Sequence, residues 1–468
     1  MNIGRLTDTL KNRKATLLFF GFLVIFILIA LKGLVALQPG DENVYYYMAK
    51  LISEGKIPYK DFFYAHPPLH IYLLALIYST FGFNIVAMKL TPLISTLISA
   101  FFVFKIAKEK FGSAEAVISS LLFLFSYSMM FNSVFSFGID VAAMFLVIGA
   151  YFLLNKNNHY LSGLFFGFAG ITRLLSLVPI SVIFAIVLLR SKKNFLKLSS
   201  AFLVVLLLVN GVFIMLSSGD YLAQAYKYHL LKSFGNKENF KEYTDIIKLN
   251  WILFSSALLF IFVKEKKPIS VFTIVLVAYL IFLMTLNKIF GFYFIIAFPF
   301  LAVIGGYSIA HIFKDYFAKN IVIKKIFLTA LLAVFAWSLA SDSLFLQTIG
   351  FTGFERGKDL ENFVILNSNK DTLLFGDDSV VPLLALLTNK KIALDFVDTN
   401  NEVFISGMRN LGNVLADLKG KEVIFIIRSK QGISYFGEVK NFLNRNCEFL
   451  SQFHDKIEGD YIVYKCYK

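Results

Sequence analysis

Two adjacent carboxylates, Asp41 and Glu42, follow Pro39-Gly40 at the end of the first long apolar run. A carboxylate held where a membrane helix meets water is partly desolvated, gains basicity and can take a proton from an attacking hydroxyl. Its neighbour could position the acceptor, or the pair could hold a divalent metal ion. The plainer alternative is capping, because Asp after Gly suits an N-cap and Glu suits a first helical turn. Residues 43–68, NVYYYMAKLISEGKIPYKDFFYAHPP, are too polar to span a bilayer and too aromatic for a slack linker. They predict a structured loop, 38–68, that holds the acids at the membrane surface.

His66-Pro67-Pro68 closes that loop. Proline at a helix start fixes φ and needs no amide donor. The two prolines therefore position the loop and hold the His66 backbone beside the acids, without giving His66 a catalytic role. Asp140 opens the run VAAMFLVIGAYFLL, and an acid at the edge of an apolar helix either caps it or has a function. Arg173 interrupts an apolar stretch and needs a partner, for which Asp140 or a phosphate headgroup would serve. Lys288, with Tyr293 five residues on, is a second phosphate contact or a snorkelling lysine.

The elements that carry these groups are set by composition. The chain has 468 residues, 57% hydrophobic and 16% charged, with mean hydropathy +0.68. That describes a polytopic membrane protein rather than a string of soluble domains. The 54 Phe and 22 Tyr suit lipid-facing and interfacial positions. The net charge of +15 comes from short basic clusters between apolar runs, which mark cytoplasmic loops and give no nucleic-acid surface. Arg5, Lys11, Arg13 and Lys14 precede a run from Ala15 to Leu37 that is longer than a signal-peptide core. It reads as a retained first helix with a cytoplasmic N-terminus.

Assigning basic clusters to the inside gives a path of about eleven crossings. Spans are expected near 15–37, 87–107, 114–135, 141–155, 160–190 as two short arms broken at Thr172-Arg173, 198–217, 249–263, 269–287, 291–312 and 323–343. Residues 69–83 read as a juxtamembrane or partly embedded helix, and 218–248 as a polar outer loop. From about 352 the pattern changes to short β-rich runs, DTLLFG, KIALDF, EVIFII and YIVYKC, alternating with amphipathic stretches. The fold expected is thus a membrane domain, 1–350, followed by a small soluble α/β domain, 351–468, outside the cytoplasm. Cys447 and Cys466 flank a terminal hairpin and either pair in an external compartment or remain thiols.

A first helix, then Asp-Glu, then an aromatic loop ending in His-Pro-Pro-Leu resembles the GT-C superfamily of integral membrane glycosyltransferases. The protein O-mannosyltransferase and aminoarabinose-transferase-like branches are the most similar. The resemblance extends through FGFNIVAMKLTPLISTLISAFFVFKIAKEKFG, Asp140 and AGITRLLSLVP, and more loosely through KIFGFYFIIAFPF at 288–300. It implies transfer of a sugar from a polyprenyl-phosphate carrier to a lipid, glycan or protein acceptor on the outer face of a prokaryotic plasma membrane. Asp41 falls on the family's catalytic acidic position, Glu42 on its companion, Asp140 on the second outer-face acid and Arg173 on the basic position for the carrier phosphate. The α/β tail departs from the trefoil insertions of the mannosyltransferase branch and is closer to the aminoarabinose-type arrangement.

The physical argument agrees with that implication. The chain shows no phosphate-cradling glycine loop for a nucleotide sugar. A lipid-phosphate donor requires an apolar groove, cations for the departing phosphate and an acid-base group near the surface. The expected mechanism is a single inverting displacement, with Asp41 as general base and Arg173, with Lys288 or a divalent ion, stabilising the phosphate. A transporter or flippase is the main alternative. It would place ionisable residues at the membrane centre with repeat symmetry, whereas the acids here cluster at one face and no repeat occurs.

Overall fold

The computed structural model describes residues 3–232, 236–317, 321–429, 431–455 and 459–467. Five described helices are long and apolar enough to cross a membrane: Asn12–Val35, Ile85–Lys110, Lys192–Leu216, Lys267–Met284 and Lys325–Gly350. A sixth span results if Asn239–Leu249 and Trp251–Phe262, bent by 85° at Asn250, count as one. Helices suit this environment because all their backbone polar groups bond within the segment. Shorter apolar helices are Leu69–Phe81, Ser113–Leu124, Ile139–Leu154 and Leu174–Arg190. The 160–190 stretch divides as its sequence predicts, into His159–Gly170, a 3₁₀ turn at Leu174–Ser176, and Leu177–Arg190.

The chain forms two compact units. The first comprises residues 1–34, 89–209 and 235–351, and the second 35–88, 210–234 and 352–468. The first unit is all helical, with an apolar core that includes Phe26, Phe123, Leu146, Phe166, Phe298 and Tyr307. Ile139–Leu154 packs on His159–Gly170. Their close approach depends on Gly149, where an added Cβ would lie 2.5 Å from the Phe166 ring.

Helix Asp41–Ser53 of the second unit packs on Leu69–Phe81 and on Val381–Leu387. A four-stranded sheet completes the unit: β1 (Leu373–Gly376), β2 (Val423–Arg428), β3 (Cys447–Asp455) and β4 (Gly459–Cys466), in the order β1-β2-β4-β3. β1 and β2 are parallel, whereas β4 runs antiparallel to both β2 and β3. Cys447 and Cys466 face each other across the β3–β4 hairpin and form a disulfide.

Two local expectations change. KIALDF is not a strand: Ile392 makes an isolated bridge to Leu374, after which Ala393–Asp395 is a 3₁₀ turn. Leu394 and Asp395 have φ of 61° and 51°, which an extended strand excludes. The 218–248 segment is largely helical, not a loop, and includes Tyr228–Leu231 and Asn236–Leu249; residues 233–235 lie outside the described set. Its polar residues conceal an apolar side, on which Tyr243 packs edge-on against Phe294 at 4.8 Å and donates to the Leu280 carbonyl at 2.6 Å.

Candidate active site

Gly40 is the N-cap of helix Asp41–Ser53, so Asp41 and Glu42 occupy its first turn rather than capping it. Successive helical residues point about 100° apart. Asp41 is accordingly exposed, while Glu42 is turned inward at 1% exposure. That divergence does not fit two ligands of one metal ion. Among the described residues, no group of three or more His, Cys, Asp or Glu is arranged to hold one.

Within the same unit, the loop after β1 docks on this turn. The Gly40 N–H donates to the Ser379 carbonyl at 3.0 Å. Asn43 Nδ2 donates to the carbonyls of Gln38 at 2.8 Å, Gly40 at 3.1 Å and Ser379 at 3.3 Å. Gly376 makes the sharp exit from β1 at φ 139°, where a Cβ would lie 1.7 Å from the Ile426 carbonyl oxygen. Only glycine is accommodated there. Asp377 is then fixed in place: it accepts from the Ser379 N–H at 3.0 Å and the Ser379 hydroxyl, and pairs with Arg428 Nε at 3.4 Å.

The next residue, Asp378, is half-buried and interacts electrostatically with Asp41 and Asp398. Burial pushes its pKa well above the usual carboxylate range, and Asp377, Asp41 and Asp398 add to this while Arg428 opposes it. Asp398 follows the same pattern, pushed up to about 6 mainly by burial and further by Asp41, against the Asn400 N–H and Lys232. Asp41 thus lies in a neighbourhood of carboxylates that hold protons unusually well.

The aromatic loop is held by side chains from residues 210–234. Gln224 donates to the Tyr59 carbonyl at 2.8 Å and accepts from the Tyr64 N–H at 3.0 Å. His229 Nε2 lies 2.6 Å from the Ala65 carbonyl, and its ring stacks on His66 with centroids 5.2 Å apart. Tyr59 donates to the His66 carbonyl at 2.6 Å. Pro67 and Pro68 lead directly into Leu69–Phe81, with Pro68 as N-cap.

Asp140 and Arg173 belong to the first unit, where they interact electrostatically and are 3% and 5% exposed. Gly138, at φ 73°, is the N-cap of Ile139–Leu154, so Asp140 lies in the first turn. Arg173 sits at the break between helices, with extended backbone. Its N–H donates to the Ala169 carbonyl at 3.1 Å and its carbonyl accepts from Ser176 Oγ at 2.8 Å. The 3₁₀ segment Gly291–Ile296, which carries Tyr293, packs against both Ile139–Leu154 and the Leu174–Ser176 turn. The Tyr293 carbonyl accepts from the Tyr279 hydroxyl at 2.8 Å. Lys288 lies in the preceding turn with its Nζ 5.5 Å from the Phe290 ring centre.

Asp377, Asp378, Asp398, Arg428, Gln224 and His229 are additions that sequence reasoning missed. A signal was present for three of them. Asp377-Asp378 directly follows DTLLFG, and Asp398 comes two residues after KIALDF. Loops beyond strand carboxyl ends are where α/β sheets place functional groups.

Residues 65–217 match the family described as dolichyl-phosphate-mannose-protein mannosyltransferase. None of the curated proteins compared matches the sequence. Among solved structures, the chain is similar to ArnT from Cupriavidus metallidurans bound to undecaprenyl phosphate, with TM-score 0.64, 14% identity, and coverage of 95% of this chain and 98% of that one. It is also similar to the oligosaccharyltransferase AglB from Archaeoglobus fulgidus in complex with an inhibitory peptide and a dolichol-phosphate, with TM-score 0.55, 11% identity, and coverage of 95% and 74%. The arabinofuranosyltransferase AftD from Mycobacteria gives TM-score 0.55 at 11% identity, covering 96% of this chain but 41% of that longer one. The chain therefore has the GT-C fold of integral membrane glycosyltransferases.

Proposed function

We propose that this protein transfers a sugar from a polyprenyl-phosphate donor to an acceptor on the outer face of the membrane, with Asp41 as general base. The observation that carries this reading is the exposed Asp41 carboxylate, fixed at a helix N-terminus and bordered by Asp378 and Asp398. An exposed carboxylate at that position is open to an incoming acceptor and can take its proton. The lipid carriers bound by ArnT and AglB support the choice of donor.

In the proposed step the acceptor hydroxyl or amine gives its proton to Asp41 and attacks the anomeric carbon. The bond from that carbon to the phosphate oxygen breaks, and the oxygen keeps the electron pair. Inversion follows from the single displacement. Arg173, Lys288 and Tyr293 are assigned to the donor phosphate, and Asp140 orients the Arg173 guanidinium. Glu42, buried, supports the turn that carries Asp41. His66, Pro67 and Pro68 hold the loop that follows. The short apolar helices join the long spans in about eleven crossings, with the N-terminus cytoplasmic and the sheet-bearing segment outside.

Incubating membranes that contain the protein with a radiolabelled polyprenyl-phosphate sugar tests the reading. Label should leave the carrier and appear in lipid, glycan or protein. Label that stays on an intact carrier but changes leaflet would indicate a flippase instead.

A further inference from the structure

We propose that the end of the first unit farthest from Asp140 and Arg173 binds the headgroup of an anionic phospholipid from the leaflet on that side. The seat is a crevice with apolar walls and two cations, Lys110 and Arg190, among its lining residues. The proposal does not depend on the reading of Asp41 as a base.

Several helix ends meet at the crevice. Ile85–Lys110, Ile139–Leu154 and Leu177–Arg190 finish there, while His159–Gly170, Lys192–Leu216 and Ser270–Met284 begin beside it. Ile139–Leu154 carries Asp140 in its first turn and Leu153 in its last, and its 16 residues span about 24 Å. Arg173 stands just before the Leu174–Ser176 turn. The helix that follows, Leu177–Arg190, has 14 residues, spans about 21 Å and puts Arg190 at its far end. The crevice is therefore separate from Arg173 and lies at the opposite end of the same helices.

Its volume is about 270 Å³, near the lower end for ligand pockets, which suits a headgroup whose acyl chains stay in the bilayer. The walls are apolar, formed by Leu153, Ile183, Ile186 and Val187. Leu188 and Leu189, next along the same helix, are exposed and offer contacts to acyl chains. The charged lining has one sign. Lys110 and Arg190 are both exposed, and no Asp or Glu lines the crevice. Among the described residues neither cation makes an ion pair. Glu109, adjacent to Lys110, is already matched by Lys105 at 2.8 Å and Lys156 at 3.1 Å. Ser191 Oγ accepts from the Asn194 N–H at 3.3 Å, which leaves the Ser191 hydroxyl proton to donate, and the Asn194 side-chain amide is a second neutral donor. Cations with nearby hydroxyl and amide donors match a phosphodiester, and basic pockets between membrane helices recognise anionic headgroups in this way. A basic loop alone marks only a membrane side. The concave apolar walls give this one a fixed seat.

The test is lipid binding to the purified full chain in detergent, read by native mass spectrometry with added phosphatidylglycerol or phosphatidylcholine. Wild type should bind phosphatidylglycerol at least about tenfold more tightly than phosphatidylcholine. K110Q/R190Q should weaken phosphatidylglycerol binding about 30-fold, and R190Q alone, which serves if the double variant does not fold, about fivefold. K264Q/K266Q removes two exposed lysines from a loop outside the crevice and should change binding less than about threefold. Asn194→Trp keeps every charge but fills the crevice, and should also weaken binding. Equal affinity of wild type for the two lipids, or equal losses in K110Q/R190Q and K264Q/K266Q, would overturn the proposal. Displacement of phosphatidylglycerol by millimolar inorganic phosphate would assign the crevice to free phosphate and overturn it as well.

Discussion

The Ser379 carbonyl accepts the Gly40 N–H at 3.0 Å, which binds the loop after β1 to the turn that presents Asp41. Residues more than three hundred positions apart in sequence thereby contribute to one acidic neighbourhood. The sheet-bearing segment is part of the candidate site's construction, and its variants should affect chemistry as well as stability.

Asp398 gives a pH-dependent stability prediction. Its pKa in the folded protein is raised to about 6 from an ordinary 3.8. The folded state therefore binds the proton more tightly, and this stabilisation is present at low pH and lost as pH rises from about 4 to about 6. D398N, which carries no charge, should be more stable than wild type at pH 7 by about 1–3 kcal/mol, after allowance for partial solvent screening. The advantage should shrink toward pH 4, as read by thermal unfolding at the two pH values.

Arg428 and Asp377 form a buried pair, with side chains 17% and 1% exposed. Removing one partner leaves an uncompensated charge. Arg428→Met should cost about 3 kcal/mol of stability, and Asp377→Asn in the same chain should recover part of it. Thermal melts of the two single variants and the double variant give the coupling.

Asp140 and Arg173 allow structure to be separated from donor binding. Arg173→Gln leaves the Asp140 carboxylate buried without its cation, and D140N in the same chain relieves that cost. The double variant should recover thermal stability yet keep a raised KM for the lipid donor. The increase should be about 10- to 100-fold, the range for one charge-assisted hydrogen bond. Recovery of both properties would reduce the pair to a structural role.

The Cys447–Cys466 disulfide closes a loop with a sequence separation of 19. Opening it should cost about 3 kcal/mol by loop-closure entropy. Replacing both residues with serine should lower the melting temperature, and because β3 is an edge strand paired only with β4, initial transfer rates below that temperature should be unchanged.

Much of this architecture is legible in the sequence because hydrophobic runs and proline positions act locally. The break at Thr172-Arg173, the helix that begins after Pro68 and the terminal hairpin between the cysteines all follow from residues adjacent in the chain. The first-turn positions of Asp41 and Asp140 were less clear, since Asp after glycine or isoleucine resembles a cap until the glycine itself takes that role. Asp378 and Asp398 were missed because their relation to Asp41 depends on long-range hydrogen bonds, one between main chains and one to the Tyr47 hydroxyl, which no periodicity encodes. KIALDF misled for the opposite reason: its β-rich composition was overridden by left-handed backbone at Leu394 and Asp395. The helicity of 236–249 was obscured by its charge, with only a narrow apolar side to reveal it.

The most direct measurement is transfer of radiolabelled sugar from a polyprenyl-phosphate donor by membranes containing wild-type protein or Asp41→Asn at equal folded amounts. The account predicts product with the wild type and a loss of at least about a hundredfold with the variant, as expected for removal of a general base. Equal transfer by the two proteins would contradict it.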